Sequence, residues 1–367
     1  MTDSYLLNRI GTFLRDWYLI MLLTLSDKRL TVEKITGHLA QLRHHAHAQS
    51  SHFAVSAIVE VWLEQHQLFA YVSGVNVENH EHNRLSMHAE QNAMIAAKSL
   101  FGDKITCSTA WVMGAPDTIH KGSKDPSADN FVMPCGHCRQ VLLSFSSPET
   151  EIYSVTVNGR VGPMNYLTAL LPLAFSEQDL KSVVPQTTEM VASSAGFFPA
   201  QKVPKVQPLK QIAFEADLSR KAITSMLKAI LPSIISPDYQ TSPIEACVIK
   251  ITANNFVYYF QGALVQDCAF LTTDAIFSCI GQAITELGAE KCVIKEIHLH
   301  AASMEPSQLS SAELGHIKRF AELDTLILFH SKQEPSQIRD FTLGDCIEAS
   351  VNKLGFGTPA EYHSTGM

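Results

Sequence analysis

Two short motifs carry the residue types of a metal-dependent enzyme. The first is HAE, in which His88 and Glu90 stand two residues apart where a polar loop turns into a helical pattern. Two such residues on a running helix lie about 200° apart round its axis, so they are not expected to pair with each other. At the first turn of a helix, however, both side chains can reach past its end toward a shared ligand.

The second motif, PCGHC, supplies further candidate ligands. Cys135 and Cys138 are three residues apart, so on a helix they share a face, and at its first turn the helix dipole and free amides favour thiolates. Two thiolates and the His88 imidazole make three ligands of a tetrahedral zinc ion, and a catalytic zinc keeps its fourth position for water. Glu90 is then predicted to lie free beside that water.

An H-x-E followed by a P-C-x-x-C is the known signature of zinc deaminases that act on nucleobases. Neither half is specific alone, since a C-x-x-C in a cytosolic chain is also typical of a redox pair or a structural metal site. The two halves together, each at a helix start behind a predicted strand, predict a catalytic Zn²⁺ site.

Four other histidines are interpreted without a metal. His137 lies between the two cysteines but off their shared face, and it is interpreted as a helix-start residue. His44, His45 and His47 precede the first predicted strand and have no acidic or thiol residue nearby in the sequence. This favours a solvated linker over a second metal site.

The composition is that of a globular chain with an acidic balance. Its 367 residues are enough for two domains, and a hydrophobic content of 46% can fill their cores. Asp and Glu outnumber Lys and Arg by 36 to 28, giving a formal charge of -8 and no basic field for phosphate backbones. Nucleic acid is therefore not expected as a partner.

The apolar run from Trp17 to Leu25 is predicted to be a core helix. It is far shorter than the ~20 residues of a membrane-spanning helix, and no small-residue cleavage site of a secretory signal follows it. No membrane partner is therefore expected. The eight cysteines lie mostly inside apolar runs, which favours reduced thiols and a cytoplasmic location.

Periodicity divides the chain into four parts. Residues 1–48 carry apolar residues at spacings of three and four, which predicts a helical N-terminal segment. Residues 49–184 follow the order strand, strand, helix, strand, helix, strand, which predicts an α/β fold with a mixed β-sheet covered by helices. Residues 185–211 contain four prolines and no sustained period, as expected of a linker. Residues 212–367 repeat the order and are interpreted as a degenerate, non-catalytic copy.

This second copy is predicted to lack a metal site. When the glycines that end the two equivalent helices are aligned, Asp274 and Ile276 stand opposite the histidine and glutamate of H-x-E. An alignment on the following strand sets Leu309 and Ala312 opposite the two cysteines. No ligand set survives at these positions, so one zinc per chain is expected.

Motifs in a fixed order show that the chain resembles the cytidine deaminases, specifically their large two-domain homodimeric zinc type. They are SGVNVEN, HAEQNA, PCGHCRQ and LLPLAF. The smaller tetrameric relatives have cysteine and arginine where this chain has His88 and Gln91, and the paired change keeps the metal a useful Lewis acid. The loop from Pro116 to Asn130 is longer than is usual in that family.

The resemblance implies a role for each substrate residue. Asn76 and Glu78 would hold the ribose hydroxyls, and Phe53 would stack on the pyrimidine. Ala89 would also contact the substrate. Phe175 would cross to the partner subunit and face the pyrimidine from the other side, so that a homodimer completes both active sites.

The implied reaction is hydrolytic deamination of cytidine and deoxycytidine to uridine and deoxyuridine, with release of ammonia, in pyrimidine salvage. A zinc-bound hydroxide would attack C4 of the base, while Glu90 would carry protons first to ring N3 and then to the leaving amine. The expected partner is therefore a small-molecule nucleoside, and the expected cofactor is one Zn²⁺ per chain.

Three other functions stay open. A deaminase of a cytosine nucleotide would share the zinc and the glutamate. It would also need cationic residues that bind the phosphate, whereas the negative charge of Glu78 near the sugar would repel a phosphate. A polynucleotide deaminase would need a basic channel with aromatic platforms, against which the charge of -8 argues. A structural zinc module would need a fourth protein ligand that closes the site.

Overall fold

The computed structural model contains two β-sheets with helices packed on them. Its described residues are 23–63, 66–79, 86–102, 105–172, 217–230, 244–254, 256–268, 271–334 and 336–353. Within them, no helix is long and apolar enough to span a membrane. The predicted linker, residues 185–211, lies outside the described residues.

A six-stranded mixed sheet carries both motifs. Its strands are β1 (Leu23–Ser26), β2 (Phe53–Leu63), β3 (Leu68–Val75), β4 (Cys107–Pro116), β5 (Ser146–Val155) and β6 (Asn165–Tyr166). They lie in the order β1-β3-β2-β4-β5-β6, and only β4 and β5 are parallel. The helices of this half are α1 (Val32–Leu42), α2 (Ala89–Phe101), α3 (Gly136–Ser144) and α4 (Leu167–Leu170).

The second half forms a five-stranded sheet and a small hairpin. The strands are β7 (Ile244–Ala253), β8 (Phe256–Ala263), β9 (Val265–Cys268), β10 (Leu271–Thr273), β11 (Ile294–Ala301), β12 (Ala321–Ser331) and β13 (Ile338–Thr342). The larger sheet has the order β13-β12-β11-β7-β8, with β11 and β12 parallel. Its helices are α5 (Arg220–Ile230), α6 (Ala275–Leu287), α7 (Ser311–Lys318) and α8 (Leu343–Lys353). Both halves therefore confirm the predicted mixed α/β fold.

The two halves share the order of five strands, since β3-β2-β4-β5-β6 corresponds to β8-β7-β11-β12-β13, and they share two specific contacts. In the first half the Tyr71 hydroxyl accepts a hydrogen bond from the Leu30 backbone amide (2.9 Å). In the second half the Tyr259 hydroxyl accepts one from the Leu218 backbone amide (3.0 Å). Helix α1 packs on β2 as α5 packs on β7. Helix α1 thus occupies the same place in the first half as α5 does in the second. The domain boundaries predicted from the sequence remain a prediction.

A glycine in each half lets a helix start directly against the hairpin. A Cβ at Gly74 would lie 2.3 Å from the carbonyl oxygen of Ala89, at the start of α2. A Cβ at Gly262 would lie 2.5 Å from the carbonyl oxygen of Ala275, at the start of α6. A side chain at either position would push the helix start away from the sheet.

The N-terminal segment was predicted to be helical over residues 1–48, and this prediction is wrong for residues 23–26. Leu23–Ser26 forms the edge strand β1, which pairs antiparallel with β3. The apolar residues of this run are too dense for their period to separate helix from strand. Pairing with the exposed edge of β3 then satisfies their backbone groups. The rest of the predicted helix, residues 1–22, lies outside the described residues.

The two halves meet where α2 packs on α6. Asn92 of α2 is fully buried, and its Nδ2 donates to the Val75 and Gly281 carbonyls (3.0 and 3.1 Å) and to the Thr285 hydroxyl (3.0 Å). Gly281 permits this approach, because a Cβ there would lie 2.6 Å from Asn92 Oδ1 and 2.9 Å from Met87 Sδ. Since its two N–H groups are shared among three acceptors, the Asn92 amide cannot swing aside for a larger residue.

Gly281→Ala is therefore expected to destabilise the protein by about 1–3 kcal/mol through overpacking. Gly315→Ala is the matched control, because Gly315 also lies in a helix but has nothing within 4 Å of an added Cβ. It should raise stability by about 0.5–1 kcal/mol. Urea unfolding followed by circular dichroism measures both, and equal effects of the two changes would contradict the tight contact between α2 and α6.

Candidate metal and active site

Both motifs lie at helix starts, as their spacing predicts. His88 is the N-cap residue of α2 and Cys135 is that of α3, each in an extended conformation (φ −80°, ψ 156° and φ −68°, ψ 170°). Cys138 follows one turn into α3 and is fully buried. Because α2 and α3 contact each other, their first turns bring the three side chains together.

The three candidate ligands form one compact group. Their ligand atoms all lie within 4.8 Å of one another, and His88 Nδ1 is 3.4 Å from Cys135 Sγ. Ligand atoms of a tetrahedral zinc are expected roughly 3.5 Å apart. The group has three members within the described residues, which matches a catalytic rather than a closed structural site. One imidazole and two thiolates also give the donor set that zinc prefers.

The two thiols do not ionise alike. The pKa of Cys135 is lowered, first by the hydrogen bond from the Cys138 thiol and also by the neighbouring His88. The pKa of Cys138 is raised well above its usual value, first because it donates that hydrogen bond and then because of burial. These opposite shifts favour a thiolate at Cys135 and a protonated thiol at Cys138, whose proton a bound metal would displace.

Glu90 lies beside the ligands without belonging to the compact group. Its side chain is in the first turn of α2, the residue is only 5% exposed, and it contacts the Cys138 thiol. Burial raises the pKa of its carboxyl. A raised pKa makes the carboxylate a stronger proton acceptor, which suits a group that takes a proton from water and passes it on.

Asn76 and Glu78, which are expected to bind the sugar, lie on the loop that follows β3. Asn76 is buried, its Oδ1 accepts from the Val55 amide (2.8 Å), and its Nδ2 donates to the Phe53 carbonyl (3.0 Å). Glu78 Oε2 accepts from the amides of Ser50 and Ser51 (2.9 and 3.0 Å). An amide has a second donor and a carboxylate about four acceptor positions, so both side chains keep bonding capacity for a substrate.

The other predicted substrate residues differ in how the structure places them. The Phe53 ring is half-buried and lies across Gly114, where a Cβ would come within 2.9 Å of it. Ala89 is fully buried at the start of α2, so it offers backbone rather than side chain to a ligand. Phe175 lies outside the described residues.

Two neighbours of the ligands were not assigned a site role from the sequence. Gln91 Oε1 accepts from the His88 backbone amide, and its Nε2 donates to the Thr273 hydroxyl of the second half (both 3.4 Å). The His137 ring lies 5.6 Å from the His88 ring, and burial lowers its pKa. A glutamine three residues after an N-cap is a capping signal, whereas nothing in the sequence indicates the contact with Thr273.

The equivalent place in the second half holds other residues. Asp274 is the N-cap of α6, as aligned from the sequence, but Ser310 is the N-cap of α7. Ser310 and Glu313 therefore match the two cysteines, and the expected Leu309 and Ala312 were wrong by one residue. The strand alignment itself was one residue out, because Glu151 pairs with Thr109 in the first sheet as Leu326 pairs with Glu296 in the second. The separation along the chain between the helix N-cap and the start of the strand is the same in both halves.

Aromatic rings and carboxyl groups occupy the region of the second half that is equivalent to the candidate metal site. The Phe277 and His316 rings stack at 3.9 Å. Burial, together with repulsion from Glu313, raises the pKa of Asp274 to about 7. Among the described residues, the one group of side chains that could hold a metal ion is that of His88, Cys135 and Cys138.

Purified protein is accordingly expected to contain one equivalent of zinc per chain. The first half offers an imidazole and two thiols, whereas the second offers oxygen ligands around a buried ring stack. Metal analysis by mass spectrometry on a dialysed sample measures the ratio. A value near two would contradict the assignment of the second half as metal-free.

The matched family agrees with this site. Residues 31–154 match the family model described as the cytidine and deoxycytidylate deaminase zinc-binding region. The matched segment begins at the N-cap of α1 and ends in β5, and it contains the three candidate ligands and Glu90.

Solved structures similar to part of the chain are cytidine deaminases. That of Burkholderia pseudomallei is 26% identical, with 40% of this chain and 100% of that chain covered and a TM-score of 0.31. That of Mycobacterium tuberculosis is 26% identical (40% and 99% covered, TM-score 0.29), and that of Mycobacterium leprae is 24% identical (39% and 99% covered, TM-score 0.28). No curated protein sequence matches the chain.

Proposed function

We propose that this chain, which carries the zinc-binding region of the cytidine and deoxycytidylate deaminases over residues 31–154, hydrolyses cytidine and deoxycytidine to uridine and deoxyuridine. Ammonia is the second product, and pyrimidine salvage is the proposed role. The observation that supports this is the group of His88, Cys135 and Cys138 within 4.8 Å, with the buried Glu90 beside it. We further propose a cytoplasmic location, in keeping with free thiols at the cysteines whose side chains are described.

The proposed chemistry divides between the metal and Glu90. When bound by His88 and the two cysteines, zinc would supply Lewis acidity and a nucleophilic oxygen near neutral pH. Glu90 takes one proton of the attacking water and delivers it to ring N3 of the base. It then delivers the other proton to the exocyclic amine. A carbon–oxygen bond forms at C4, the carbon–nitrogen bond breaks, and the glutamate ends in its starting state.

Binding of the nucleoside is assigned to the loop beside the metal. Asn76 and Glu78 would each use their remaining bonding capacity on the ribose hydroxyls. Phe53 would offer its ring face to the pyrimidine, and the Ala89 backbone would contact the base. The Glu78 carboxylate disfavours a phosphate in its vicinity, which supports a nucleoside over a nucleotide.

Ammonia release from cytidine, CMP and single-stranded DNA, measured on one preparation, tests the proposal. Turnover of cytidine with little or none of the other two is the expected result. Faster turnover of CMP would instead identify a nucleotide deaminase. A zinc-loaded protein that releases no ammonia from any of the three would be a structural zinc module.

The active form is proposed to be a homodimer in which Phe175 reaches the partner's active site. Stacking of a base on an aromatic ring is worth roughly 1–3 kcal/mol, so Phe175→Ala should cost about 5- to 150-fold in kcat/KM. In mixed dimers, a Glu90→Gln subunit lends its Phe175 to a Phe175→Ala subunit that keeps Glu90. Coexpression should therefore restore one good site per dimer. If the mixed dimers are no more active than the mean of the Glu90→Gln and Phe175→Ala proteins, Phe175 does not act in the partner's active site.

A further inference from the structure

One side chain of the second half reaches the sugar-binding loop of the first. Arg319 is the C-cap residue of α7, and its Nη1 donates a hydrogen bond to the backbone carbonyl of Glu78. Its Nη2 lies 3.0 Å from His47 Nε2 and 3.5 Å from Gln49 Oε1. A single guanidinium therefore contacts two stretches of chain that lie some 240 and 270 residues before it in the sequence.

These two stretches are also bonded to each other. The His47 amide donates to the Asn76 carbonyl (2.9 Å), and the Glu78 amide donates to the His47 carbonyl (2.8 Å). Arg319 thus closes a small network in which both expected ribose ligands take part through their backbones. Arg319 contacts the Glu78 backbone carbonyl, whereas the Glu78 carboxylate accepts hydrogen bonds from Ser50 and Ser51.

The same loop is joined directly to the metal site. Val77 and Met87 exchange two backbone hydrogen bonds of 2.9 Å each. Val77 stands between Asn76 and Glu78, and Met87 immediately precedes the ligand His88. The position of the loop therefore sets the distance between the sugar-binding residues and the reacting centre.

We propose that Arg319 is a positioning residue for the ribose-binding loop, so that the second half of the chain contributes to substrate specificity in the first. The inference rests on the proposed function, because it needs Asn76 and Glu78 to bind the sugar. Arginine suits the task since its planar fork donates to the loop carbonyl and to His47 at once. A lysine at this position can make only one of these contacts well.

The first test separates binding of the sugar from catalysis. Arg319→Ala should raise KM for cytidine about 12- to 150-fold, the loss expected for a charged hydrogen bond, with kcat changed less than about twofold. For 2′,3′-dideoxycytidine, which lacks the hydroxyls, KM should change less than about twofold, and an inhibition constant replaces KM if the analogue is not turned over. KM of Arg319→Lys for cytidine should lie between the values of the wild type and of Arg319→Ala. Lys318→Ala, which removes an exposed charge one residue earlier, should leave both substrates unaffected.

The second test does not use activity. Hydrogen exchange of the amides of residues 76–79 should be faster in Arg319→Ala than in the wild type, with zinc content unchanged. Equal changes for cytidine and the dideoxy analogue would overturn the proposal, and so would unchanged exchange of the loop amides. A wild-type protein that does not deaminate cytidine would overturn the proposed function instead, so the two failures are distinguishable.

Discussion

Glu90→Gln is expected to lower kcat for cytidine by about 10²- to 10⁴-fold while zinc stays at one equivalent. The substitution keeps the size of the side chain and one carbonyl oxygen, but an amide nitrogen replaces the oxygen that takes and returns the proton. Glu90 contacts Cys138 but does not belong to the compact group of candidate ligands. The metal should therefore remain, and the loss should appear in turnover rather than in binding.

Glu60→Gln is the matched control for this substitution. Glu60 is also a buried glutamate of the first sheet, but it bonds to the Tyr71 and Ser108 hydroxyls (2.6 Å each) rather than to the metal group. Its replacement should change stability and leave kcat nearly intact. If Glu90→Gln retained more than about a hundredth of wild-type kcat, its assignment as proton carrier would be wrong.

The grouping of the three candidate ligands was predictable from the sequence because their placement depends on local structure. His88 and Cys135 occupy N-cap positions of α2 and α3, where the motif spacing placed them. The glycine that ends α2 and the one that ends α6 also allowed Asp274 to be matched with His88 correctly. Such features depend on residues within one or two helical turns, and short-range periodicity records them.

Contacts between distant parts of the chain were not predictable in this way. His45 and His47 were expected to be solvated, yet His45 Nδ1 lies 2.7 Å from the Thr285 carbonyl, and His47 contacts Arg319. The two partners belong to the second half, and no single-sequence period joins residues 240 or more positions apart. Strand β1 was missed for the same reason, because only the exposed edge of β3 makes it a strand.

Cys138→Ala is expected to abolish stoichiometric zinc binding and, with it, activity. The three-residue group loses the ligand that lies deepest in the protein, since Cys138 is fully buried while His88 and Cys135 are exposed. Two remaining ligands cannot hold a tetrahedral metal against dialysis, because each lost thiolate removes a strong Zn–S bond. The variant should contain less than about a tenth of an equivalent of zinc.

Cys107→Ala tests whether any buried thiol would have this effect. Cys107 is also fully buried, its thiol donates to the Thr109 carbonyl (3.4 Å), and burial raises its pKa to about 12. This variant should keep a full equivalent of zinc and most of its activity, at a modest cost in stability. Added zinc should raise the melting temperature of metal-free wild type and metal-free Cys107→Ala alike, since a ligand that binds only the folded state stabilises it.

Metal-free Cys138→Ala should show no such rise in melting temperature. Calorimetry in buffers of different ionisation enthalpy gives an independent measurement. Because the pKa of Cys138 is raised and its thiol is therefore protonated at pH 7, zinc binding by the wild type must release that proton. Zinc binding by Cys138→Ala at full stoichiometry, or wild-type binding without proton release, would mean that Cys138 is not a ligand.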